Sequence, residues 1–157
     1  MYCIRRFWKK TIGVLGVVLL LALSACSNIT TSKSLTFNLE TGDQIEVEVD
    51  TSDGYDLRNE GTTFYVVKDG ETALQGIFYT AEQSDAQAEL IRTTEGVTVV
   101  KDEDGFLSYD FPGGAAGPEV GYLVAIPDTT LSYYAASLKD QAAADDAIKH
   151  LTVKKAE

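Results

Sequence analysis

The chain has 157 residues, with 24 acidic against 13 basic side chains, a net charge of −11 and a single histidine. A field of that sign repels nucleic acid and anionic lipid head groups, so no nucleic-acid partner is expected. The only cysteines are Cys3 and Cys26, and with one histidine the usual zinc sets and Cys–His catalysis lack their residues.

Tyr2 to Lys10 holds Arg5, Arg6, Lys9 and Lys10 and no acid, the charged start of a secretory signal. Thr11 to Leu23 follows as an apolar run. About 13 residues rise only about 20 Å as a helix, against a hydrocarbon core of about 30 Å, so the run reads as a signal rather than a lasting span. It ends in Leu23-Ser24-Ala25-Cys26, an aliphatic residue, two small ones and a cysteine.

That tetrapeptide resembles the lipobox of bacterial lipoproteins. The resemblance implies signal-peptidase cleavage between Ala25 and Cys26, a diacylglycerol on the Cys26 sulfur, and a lipid-anchored location on the extracytoplasmic side of the cell membrane. Each buried CH₂ contributes about 0.8 kcal/mol, and two or more acyl chains give stable anchoring. An ordinary signal peptide with a cysteine at its cleavage site, or an uncleaved anchor, are the alternatives. Cleavage at Cys26 leaves 132 residues, enough for one domain with one core, carrying 9 basic and 24 acidic side chains, a net −15. With Cys26 lipidated no thiol remains for a disulfide, and packing must hold the domain together.

Residues 26–34 form a Ser/Thr-rich tether, and a single domain is expected over 35–155. Leu35 to Leu39 and Ile45 to Asp50 alternate apolar and polar residues around a Thr41–Gln44 turn, which predicts a hairpin. Thr62 to Val67 and Ala73 to Tyr79 flank an Asp69-Gly70 turn and predict a second. Thr80-Ala81-Glu82-Gln83 has the form of a capping box, and Ala86, Leu90 and Ile91 share one face of a helix that Gly96 ends. Strands are expected at Val97–Val100, Phe106–Phe111, Val120–Ile126 and Thr130–Leu138, with a glycine-rich loop at 112–118. Asp140 to Leu151 reads as a second helix, with Ala144, Ala147, Ile148 and Leu151 on its apolar face.

This order gives an α+β fold, an antiparallel sheet of about six to eight strands with two helices packed on one face. It resembles the PsbP-like fold in three stretches: the hairpin-to-helix run Thr62–Gly96, the strand pair Val120–Leu138, and the closing helix with Leu151 and Val153. The resemblance implies a non-catalytic binding or assembly module.

No residue set carries catalysis. His150 sits late in the second helix, where a solvated histidine suits the helix C-terminus, and no Gly-x-Ser-x-Gly elbow is present. Two acidic loops, Asp50–Asp56 and Asp102–Gly105, invite calcium, but counting back from Gly54 and Gly105 puts Val49 and Val100 at the first ligand position of an EF-hand loop. Asp-Gly turns explain both loops better. Tyr65, Tyr133 and Tyr134 are the candidate binding surface, with Tyr133 and Tyr134 on opposite faces of their strand. The expected function is a lipid-anchored module that binds a protein or small-molecule partner, with Cys26 as its modified residue and no cofactor beyond the lipid. An envelope hydrolase with an unidentified carboxylate pair, or an inhibitor or immunity-type lipoprotein, are the rivals.

Overall fold

The computed structural model describes residues 31–113 and 117–157, so Ala25, Cys26 and most of the tether lie outside the described residues, as does the middle of the glycine-rich loop. Alternation fixes the first hairpin. Strands β1 (Ser32–Asn38) and β2 (Gln44–Asp50) pair antiparallel, with Ile45, Val47 and Val49 fully buried. A meander follows, of β3 (Tyr55–Glu60), β4 (Thr63–Lys68) and β5 (Glu71–Tyr79). Asp69 and Gly70 both take positive φ, 52° and 89°, as do Asp104 and Gly105, 50° and 75°, which is what two-residue primed hairpin turns require.

Helix α1 (Ala81–Thr93) opens with the expected capping box. Thr80 Oγ1 accepts from the Gln83 amide and Gln83 Oε1 accepts from the Thr80 amide. Four strands come next: β6 (Thr98–Glu103), β7 (Phe106–Phe111), β8 (Glu119–Ala125) and β9 (Ser132–Ser137). Helix α2 (Gln141–Lys149) is capped by Asp140, which accepts from the Ala143 amide at 2.9 Å, and β10 (Leu151–Lys155) closes the chain.

The result is α+β: two helices and ten strands in two antiparallel sheets among the described residues. The larger sheet has seven strands in the order β3-β4-β5-β9-β8-β7-β6, and the smaller has three, β1-β2-β10. The small sheet and α2 cover one face of the large sheet. Phe37, Ile45, Val47, Val153, Ala144 and Ala147 pack there against Leu57, Phe64, Leu74, Tyr122 and Tyr133. The opposite face meets α1, where Ile91 and Ala88 pack on Leu107, Tyr109 and Leu123. The two helices therefore divide between the faces of the sheet rather than sharing one. The small sheet takes up room on the first face that a second helix would need.

Three local expectations change. The second helix stops at Lys149, and Leu151 begins β10, whose Leu151 and Val153 pair with Val49 and Val47. β3 was not expected, because Arg58, Asn59 and Glu60 make this edge strand look like a loop. In α1, Ala86 and Leu90 point outward and the buried side is Ser84, Gln87, Ala88 and Ile91, with Leu90 57% exposed.

Candidate binding face

The face of the large sheet that carries α1 is only partly covered by it. The covered part is β7 and β8, together with the end of β9 where Ser84 Oγ on the helix donates to Ser132 Oγ at 3.0 Å. Beyond the helix, β4, β5 and the rest of β9 continue the same face. Register places Tyr65 beside Gln75, Gln75 beside Ala136, and Ile77 beside Tyr134. Of these, Gln75 is exposed and the others are half-buried.

A pocket of about 350 Å³ opens on this face, with Ile77, Ala136 and Leu138 as apolar lining and Gln75, Glu119 and Tyr134 as polar lining. Its polar end is built by three strands. Tyr109 on β7, Glu119 on β8 and Tyr134 on β9 meet at one point. Both tyrosine hydroxyls donate to Glu119 Oε1, that of Tyr134 at 2.8 Å, and the two hydroxyls also touch each other.

Gly121 makes this meeting feasible. It lies directly across from Tyr109, and a Cβ at position 121 would overlap the Tyr109 ring. With only hydrogen there, the ring lies flat over β8 and its hydroxyl reaches Glu119 and Tyr134. The Tyr134 ring stacks on Tyr79, centroids 6.0 Å apart, which fixes it from the helix side. Burial, followed by the hydrogen bonds of the cluster, drives both hydroxyl pKa values well above 10. The two phenols are therefore fixed donors to a carboxylate that keeps Oε2 without a hydrogen-bond partner among the described residues.

The three sequence-predicted tyrosines separate. Tyr65 and Tyr134 stand on this open face, with β5 between them. Tyr133 does not belong to it. It is 7% exposed in the core of the opposite face, edge-on to Phe64, and burial pushes its hydroxyl up to about 12. The alternation of Tyr133 and Tyr134 was legible, but not which of the two faced the core. Glu119, Tyr109 and Ile77 were missed. A glycine inside a strand, Gly121, was the signal that a neighbouring ring crosses there.

A second polar cluster lies where α2 meets β3 and β4. Tyr55 Oη donates to Asp146 Oδ2 at 2.8 Å, Lys68 Nζ pairs with the same oxygen at 3.0 Å, and the Tyr55 ring stacks on His150 at 4.1 Å. His150 thus closes α2 against β3 and contacts the Asp50 carbonyl through Nδ1. Its neighbouring pocket of about 310 Å³ is rimmed by ions already paired, Lys68 with Asp146 and Lys139 with Glu71. The two loops offered for calcium serve the backbone. Asp53 and Asp104 hold positive φ, and Asp50 accepts from the Ser52 amide. Among the described residues no three His, Cys, Asp or Glu side chains gather as a metal site would need, and no helix is long and apolar enough to cross a membrane.

No protein-family model matches the chain, and no curated protein or solved structure shows significant similarity. The reading of its function rests on its own residues.

Proposed function

We propose that this chain is a bacterial lipoprotein, held on the extracytoplasmic side of the cell membrane through Cys26, whose α+β domain is a non-catalytic binding module. The observation that carries the binding reading is the half-open sheet face. The other face of the same sheet is closed by the three-stranded sheet and a helix, whereas Tyr65, Gln75, Ile77, Tyr134 and Ala136 have no covering element among the described residues. Aromatic and apolar side chains on a rigid sheet, with a few polar groups at the edge, are what ligand sites consist of. The anchor rests on Leu23-Ser24-Ala25-Cys26 after a basic and an apolar segment.

The hydrolase rival needs a carboxylic acid that stays protonated near neutral pH. The five carboxylates with displaced pKa values, Asp50, Asp56, Glu71, Asp102 and Asp146, all move down, each held ionised by hydrogen bonds from neighbouring donors. That favours binding over general-acid chemistry.

The test has two arms. Cys26→Ala should leave an uncleaved precursor or release the protein into the medium, and mature membrane-bound Cys26→Ala protein would contradict the anchor. Pull-down from intact cells with wild-type protein and with Ile77→Asp should lose the captured partner in the variant. Equal capture by both would move binding off this face.

A further inference from the structure

The open face has one feature that selects among ligands. Glu119 is a carboxylate at the wall of an otherwise largely apolar pocket, and none of the ion pairs among the described residues includes it. Its Oε1 is committed to the two tyrosine hydroxyls, while Oε2 has no hydrogen-bond partner among the described residues. Tyr109 and Tyr134 do not neutralise the charge. They orient it.

We infer that this pocket takes a small organic cation, a primary ammonium or guanidinium on a short apolar stem, with the cation at Glu119 and the stem along Ile77, Ala136 and Leu138. This rests on the binding-module reading above and names its ligand class. Five observations support it. A half-buried carboxylate gains most from a charged donor that can reach its free oxygen, because charge-assisted hydrogen bonds are the strong ones. Tyr134 lines the pocket beside the carboxylate, its ring held in place by stacking on Tyr79, so the carboxylate stands at a fixed position on the pocket wall. Leu138, 62% exposed at the pocket wall, is a large apolar side chain left in water until a stem lies against it. A volume of about 350 Å³ is at the small end of ligand pockets, so one compact group fills it. The net −15 of the chain after Cys26 raises the local concentration of cations and repels anions.

The experiment is calorimetric titration of the full lipidated protein in neutral detergent at low salt with hexylammonium, hexanol and hexanoate. Hexylammonium should bind, and the alcohol and the acid should bind at least about tenfold more weakly, the size of one charge-assisted contact. Glu119→Gln should remove that preference. Because Glu119 also anchors two tyrosines, a second variant guards against misfolding: Leu138→Ser lies at the exposed rim and should narrow the advantage of hexylammonium over ethylammonium.

Hexanol or hexanoate binding as tightly as hexylammonium, or a folded Glu119→Gln protein that still prefers the cation, overturns the assignment. So does a lysine-bearing peptide that binds more tightly than hexylammonium, because the occupant would then be a protein side chain. Loss of partner capture in Ile77→Asp with no hexylammonium response overturns this ligand class alone and leaves the binding reading standing.

Discussion

On the closed face of the large sheet, Gly76 leaves room for the Phe64 ring, and Phe64 meets Phe37, Phe78 and Tyr133 under the small sheet. On the other face, Gly121 leaves room for the Tyr109 ring, and Tyr109 meets Tyr134 and Glu119 beside open solvent. Both faces use a glycine beneath an aromatic ring, in neighbouring parts of one sheet. The first ring ends in hydrogen and builds a dry core. The second ends in hydroxyl and builds a polar corner at a pocket. The same steric device yields stability on one face and a recognition feature on the other, and the ring's terminal atom decides which.

Paired substitutions at adjacent residues probe that contrast most strongly. Phe64 and Tyr65 are neighbours on β4 that point to opposite faces, Phe64 fully buried and Tyr65 half-buried. Phe64→Ala should cost about 3–5 kcal/mol in urea unfolding, the usual loss for a core phenylalanine. Tyr65→Ala should cost less than about 1 kcal/mol, in the range of substitutions away from the core. Comparable losses would mean that the open face is not open.

Next in size are the glycines. Gly76→Val and Gly121→Val each drive a branched side chain into a ring, and overpacking of this kind costs about 1–3 kcal/mol. They should differ in one further respect. Gly121→Val should displace the Tyr109 hydroxyl and change ultraviolet tyrosine absorbance on alkaline titration, whereas Gly76→Val should leave that titration as it is.

A smaller effect separates the faces by pH. Tyr109 and Tyr134 have folded pKa values raised above 10, chiefly by burial. A raised phenol pKa contributes stability that is complete below the unfolded value of about 10 and is lost as pH rises past it, because the unfolded chain ionises first. Stability should therefore fall above pH ~10, and Tyr109→Phe with Tyr134→Phe should flatten that fall. Tyr133, raised to about 12 on the closed face, keeps part of the slope in the double variant.

The smallest effect belongs to the rim of α2. Asp146 is held ionised below its ordinary pKa by Tyr55 and Lys68, so its contribution is present above pH ~4 and lost as pH falls through the lowered value. Asp146→Asn should lower the urea midpoint slightly above pH ~4 and leave it nearly unchanged below the lowered pKa, so that the acid limb of the profile flattens. A change at neutral pH as large as that of Gly121→Val would make this exposed cluster a second structural centre.

Much of the framework could be read from the sequence because the interactions that build it are local. Alternation announced β1 and β2, Asp69-Gly70 announced the turn between β4 and β5, and Thr80 with Gln83 announced the start of α1. β10 was hidden because its partner β2 lies about a hundred residues away, and Leu151 and Val153 continue the apolar pattern of the helix before them. β3 was hidden because its buried alternation is only Tyr55 and Leu57, and the exposed Arg58, Asn59 and Glu60 that follow read as a loop. The pocket was hidden for the same reason at larger scale. Tyr109, Glu119 and Tyr134 come from three strands, and nothing near any one of them in the chain names the other two. Choosing Tyr65 and Tyr134 over Tyr133 required knowing what lies over each face, which only the packing of α1 and the small sheet decides.

The most direct measurement places a photo-crosslinking residue at Gln75, exposed on the open face, or at Thr152, exposed on the small sheet, in the lipid-anchored protein in intact cells. The account predicts a specific adduct from Gln75, competed by hexylammonium, and none from Thr152. Adducts from Thr152 alone, or equal labelling from both positions, would contradict it.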